Sequence, residues 1–96
     1  MNSVNDKKIK RMIINNAKTT LKNNAEALKQ NYNLDVPKDI LNMDNGEFYI
    51  FVTEVAYPIM KGVETTRPEI LDVIAKLQAC VRAFADYHRE FKAKTL

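Results

Sequence analysis

Apolar residues recur at intervals of four and three along two long stretches of the chain, the repeat expected of a helix with one face turned inward. In the first, about residues 5–32, they are Ile9, Ile13, Ala17, Leu21, Ala25, Leu28 and Tyr32. In the last, about residues 67–94, they are Ile70, Ile74, Leu77, Val81, Phe84, His88 and Phe91, a heptad-like seam. Thr66-Arg67-Pro68-Glu69 ahead of it has the spacing of a capping box with proline in the first turn. Val73, Cys80 and Tyr87 widen the seam, so this helix is expected to touch more than one neighbour.

The middle of the chain admits two readings. Asn45-Gly46 followed by Glu47 to Thr53, rich in aromatic and β-branched residues, has the look of a turn and strand. Asp44 and Glu47 are also spaced as a helix-starting cap, and Phe48, Phe51, Val52, Val55 and Ile59 follow helical spacing. The helix is preferred, over about residues 45–61, because no earlier stretch offers a partner strand. Tyr49, Ile50, Ala56, Tyr57 and Met60 make it apolar over most of its circumference, which demands a central position. Pro58 should kink it near Glu54, whose carbonyl the ring displaces, and Gly62 is a natural stop. Pro37 can start one short helical turn near 37–43.

These elements predict an all-α chain, a small helical bundle forming a single domain over residues 1–96. Only 2 Gly and 3 Pro interrupt it, which argues against a turn-rich β fold. No run reaches the roughly 18 apolar residues that span a bilayer, and the polar, basic start resembles no secretion signal. A single cysteine, Cys80, excludes an internal disulfide, so a cytoplasmic, soluble protein is expected.

Charge changes this picture by being uneven. Residues 1–32 carry seven Lys or Arg against two acids, residues 33–66 two against six, and residues 67–96 six against four. At about 100° per residue, Lys7, Arg11, Lys18, Lys22 and Lys29 fall within about 60° of one another, a basic stripe beside the apolar face of the first helix. Such a stripe suits a phosphate backbone or an acidic protein.

Catalytic chemistry finds little to work with. Cys80 and His88, the only residues of their types, sit eight apart on one helix, about 12 Å along its axis, too far to form a nucleophile–base pair. Metal-ligand spacing is absent, and Gly46 and Gly62 cannot build a phosphate loop. The chain is therefore expected to be non-enzymatic, with no cofactor and no metal. His88, where the seam asks for a hydrophobe, fits either a half-buried helix end or a register-fixing polar position.

Outer helices of roughly 40 Å against a central helix of about 25 Å leave apolar seam uncovered. The first functional expectation is thus an interaction or regulatory protein, homo-oligomeric and most simply a dimer, that binds another macromolecule. Its interface is expected near Ile9, Met12 and Ile13 or near Phe84, His88 and Phe91. The second is nucleic-acid binding through the basic stripe. The third is capture of a small anionic ligand such as a nucleotide at a subunit interface, with Tyr49 or Tyr57 stacking on it. Lys, Asn and Ile usage suits an AT-rich genome and a small accessory protein of a phage or mobile element.

Overall fold

A computed structural model describes the backbone of residues 3–95 and the side chains of residues 7–85. In order it contains α1 (Ser3–Asn23), α2 (Ala25–Tyr32), a 3-10 turn (Ile40–Asn42), α3 (Asn45–Phe51), a π-turn (Val52–Ala56), α4 (Tyr57–Met60) and α5 (Pro68–Thr95). Among the described residues there is no strand, and the segment 47–53 is helical. The all-α bundle read from the sequence is the fold, built on the packing of α1 along α5 with the central helix, α3 to α4, packed against α5.

Each boundary has a local cause. The long first helix breaks at Asn24, whose side-chain amide donates to the Thr20 carbonyl at 2.8 Å while its backbone N–H donates to the same oxygen at 3.2 Å. A side chain competing for the helical ladder bends it. α2 ends at Asn33, held in the left-handed region at φ 56°, a conformation asparagine tolerates better than branched residues. The Leu34 N–H reaches back to the Leu28 carbonyl at 3.2 Å, and both leucines are fully buried.

α3 opens on Asp44, whose carboxylate accepts the Glu47 N–H at 2.8 Å, so the helix-starting reading of Asp44 and Glu47 is what the chain uses. That hydrogen bond lowers the Asp44 pKa, and the Asp44 charge in turn raises that of Glu47. Farther on, Pro58 has no N–H to offer Glu54, and the expected distortion takes the form of the π-turn, with the Tyr57 N–H donating to Val52 five residues back. Phe48, Val52, Ala56 and Met60 are all completely buried. Residues four apart drift about 40° per step round a regular α-helix, and the wider turn takes up part of that drift, keeping the row on the core.

The central helix stops just ahead of Gly62, as expected, though Gly62 adopts no left-handed conformation. Two expectations about helix ends and faces are corrected. α5 opens at Pro68, which puts Arg67 rather than Thr66 at the N-cap position, and the Thr65 hydroxyl accepts the Arg67 N–H at 3.1 Å. Val55 and Ile59, placed on the inward stripe, are exposed, because the core row runs through positions 48, 52, 56 and 60 instead.

The core joins Ile14, Ala17 and Leu21 of α1 to Val73, Leu77 and Cys80 of α5, with Phe48 at its centre. Phe48 lies 6.5 Å from Phe51 and 6.2 Å from Phe84, the latter edge to face. Cys80 is fully buried beside the Ile13 carbonyl, and burial pushes its thiol up from 9.0 to about 12, against a small opposing pull from Lys18. Between about pH 9 and pH 12 the unfolded chain surrenders that proton while the folded chain keeps it. Stability is therefore expected to be unaffected by this group below pH 9 and to fall as pH rises above it. Denaturation midpoints measured across that range should show a shallower loss in Cys80→Ala than in the unaltered chain.

Candidate functional site

The inward side of α1 changes character along its length. Ile14, Ala17 and Leu21 are buried on it, yet one and two turns earlier the same side carries Lys7, Lys10 and Arg11. There the groove between α1 and α5 is not closed by apolar packing. A cleft of about 250 Å³ opens, bounded by these three cations, by Asn45 at the head of α3, and by an apolar floor of Ile14, Ala83 and Phe84. Lys7 and Arg11 are exposed, and Lys10 is half-buried.

Phe84 also backs a second, shallower cleft of about 220 Å³, lined by Tyr49, Thr53, Val81 and Ala85 and almost wholly apolar. Tyr49 meets Phe84 edge to face at 5.2 Å. The Thr53 hydroxyl donates to the Tyr49 carbonyl at 2.8 Å, fixing the wall on which both lie. Tyr57 packs half-buried against the core and does not line this cleft. The two tyrosines read as a stacking pair are thus not brought together, and the cations border the other cleft, on the α1 side.

The basic stripe is interrupted. Lys18, read as one of its members, is turned inward and is only 6% exposed. Its ammonium donates to the Met43 carbonyl and lies 5.4 Å from the centre of the Phe48 ring. The reason is angular: the core side of α1 is centred on Ile14, Ala17 and Leu21, close enough to Lys18 that the long side chain is folded under. Lys29 pairs with Asp35 at 2.8 Å and donates to Asn33 at 3.0 Å. Lys22 stays exposed, and Lys7 and Arg11 belong to the cleft.

The expected interface residues also separate. Phe84 is only 2% exposed, a core residue and cleft floor rather than leftover seam, because Phe48 and Tyr49 of the central helix cover it. His88 and Phe91 lie outside the residues whose side chains are described. Ile13 is partly buried against the core, whereas Ile9 and Met12 are 54% and 55% exposed. Steps of four drift about 40° each, which leaves Ile9 about 120° away from Leu21 and out of the core. On the central helix, Ile50, Val55 and Ile59 are exposed as well.

Sequence reasoning did not single out Lys10 or Asn45 as members of a site. The signal for Lys10 is nonetheless present: 7, 10, 11 and 14 follow the helical template for one inward face, with cations at three of the four positions. Asn45 gains its place only because the head of α3 is brought to the groove between α1 and α5, which no local pattern encodes. Among the described residues, no three His, Cys, Asp or Glu side chains are grouped to hold a metal ion, and none of the described helices is long and apolar enough to cross a membrane.

No protein-family model, curated protein or solved structure matches the chain.

Proposed function

We propose that this chain is a small, non-enzymatic helical interaction protein that self-associates and acts by holding another macromolecule. The observation that carries the reading is a pair of exposed apolar patches on oppositely charged parts of the chain. Ile9 and Met12 stand out from α1, beside the exposed Lys8, in the segment with seven cations against two acids. Ile50, Val55 and Ile59 stand out from the central helix, beside the exposed Glu54, in the segment with two cations against six acids. Large aliphatic side chains left in water are costly unless a partner removes them, and the two patches are complementary in charge.

A contact between unlike patches joins copies head to tail, closing into a ring or a reciprocal pair. A buried, high-pKa cysteine thiol, useless as a nucleophile at neutral pH, supports the non-enzymatic part.

Native mass spectrometry and sedimentation at tens of micromolar are expected to find the unaltered chain above monomer mass. Met12→Glu and Ile59→Glu should each drive it toward monomer. Mixing the two variants should restore a pair, because each retains one intact patch. A strict monomer in the unaltered chain defeats the proposal. Failure of the mixture to recover, with both variants folded by circular dichroism, defeats the head-to-tail form of it.

A further inference from the structure

The cleft bordered by Lys7, Lys10 and Arg11 lies on a different side of α1 from the Ile9 and Met12 patch, roughly 150° away round the helix axis. It therefore calls for an explanation of its own. Lys7 and Arg11 stand exposed one turn apart on the side of α1 that carries Ile14, Ala17 and Leu21 into the core farther on, which places two like charges at the mouth of an apolar recess. Among the described residues, those lining the cleft include no carboxylate.

We propose that this cleft binds a small phosphate-bearing molecule, with the phosphate held by Lys7, Arg11 and the Asn45 side-chain amide and the body of the ligand resting on Ile14, Ala83 and Phe84. The chemistry of the lining sets the class. Arginine offers a planar fork matched to phosphate oxygens, lysine a mobile point charge, and the Asn45 amide a neutral donor on the opposite wall. The floor is hydrocarbon and an aromatic edge, which suits a flat or apolar body and gives a free phosphate ion nothing further to gain. A volume of about 250 Å³ limits the occupant to about the size of a mononucleotide.

An extended nucleic-acid strand is the poorer match, because a strand needs cations repeated along its path. Beyond the cleft that path is broken: Lys18 is folded into the core and Lys29, on α2, is held by Asp35, which leaves Lys22 alone exposed between them.

The test is calorimetric and NMR titration of the full chain at low salt with AMP, with inorganic pyrophosphate and with a twenty-nucleotide single strand. Saturable one-to-one binding of AMP, tighter than that of pyrophosphate, is expected, weakened at least tenfold in Lys7→Gln/Arg11→Gln. Lys22→Gln, which removes an exposed charge outside the cleft, should leave AMP binding unchanged, as should Met12→Glu on the patch side. Circular dichroism checks that the variants fold, as expected for substitutions at exposed positions. Three results each overturn the proposal: no saturable response to AMP, an equal loss in Lys22→Gln, or tight binding of the strand with none of the mononucleotide. Because Met12→Glu and the cleft variants act on separate faces, loss of self-association and loss of the ligand are read independently.

Discussion

Lys18→Glu is expected to unfold the protein or bring it to the edge of unfolding, a loss on the order of 3–5 kcal/mol. Lys18 is 6% exposed, and its ammonium supplies the hydrogen bond to the Met43 carbonyl. A carboxylate there faces that carbonyl acceptor to acceptor, with Asp44 the next residue along the chain and the Phe48 ring below. It can neither donate nor reach water. A chain of this size has only about 5–15 kcal/mol of stability in all. Lys18→Met separates charge from packing: the aliphatic stem stays, and the cost falls to the unanswered carbonyl, about 1–3 kcal/mol. Urea denaturation followed by circular dichroism checks both, and a Lys18→Glu midpoint equal to that of the unaltered chain shows that Lys18 is not seated as described. The substitution is consequently useless as a test of binding, although the sequence alone presents Lys18 as a surface cation.

The second large effect is expected at Phe48. Truncation to alanine should cost about 3–5 kcal/mol, the transfer term of the ring plus a cavity its neighbours cannot fill. Those neighbours belong to three elements: Phe51 beside it on α3, Phe84 on α5, and Lys18 on α1. Phe48→Leu keeps most of the volume and should cost less than about 1.5 kcal/mol in hydrophobic packing, while losing the ring that faces the ammonium. A double-mutant cycle pairing Phe48→Leu with Lys18→Met reads that contact directly, with a coupling of about 0.5–2 kcal/mol expected. Additive midpoints leave the ammonium-ring contact with no energetic content.

How far the sequence could be read depended on whether a feature was local. Asp44 and Glu47 announce the start of α3, and Pro58 announces a distortion that appears within one turn of Glu54. Both depend on backbone atoms a few residues away. The seam of α5 was legible for a similar reason, since Ile70, Leu77 and Phe84 repeat one another's surroundings. Sides of helices were harder. On α1 the apolar positions drift round the axis, so the pattern alone does not choose between Ile9 and Ile14, and only the packing of α5 settles it in favour of Ile14. The same rotation carried Lys18 inward, and with it the continuity of the basic stripe. The cleft combines both cases: its cations follow a readable spacing, whereas Asn45 and Phe84 reach it from two other helices.

The π-turn has a consequence for how this chain can vary. Ala56 and Met60 meet the core only because one additional residue has been absorbed between them and Phe48. Loss of one amino acid between Val52 and Ala56 therefore restores a regular α-helix and leaves Met60 on the core, whereas gain of one rotates all that lies beyond it by about 100° and sends Met60 outward. The connector at residues 63–66, which feeds no such row, can change length freely by comparison. This helix consequently tolerates shortening at the π-turn better than lengthening.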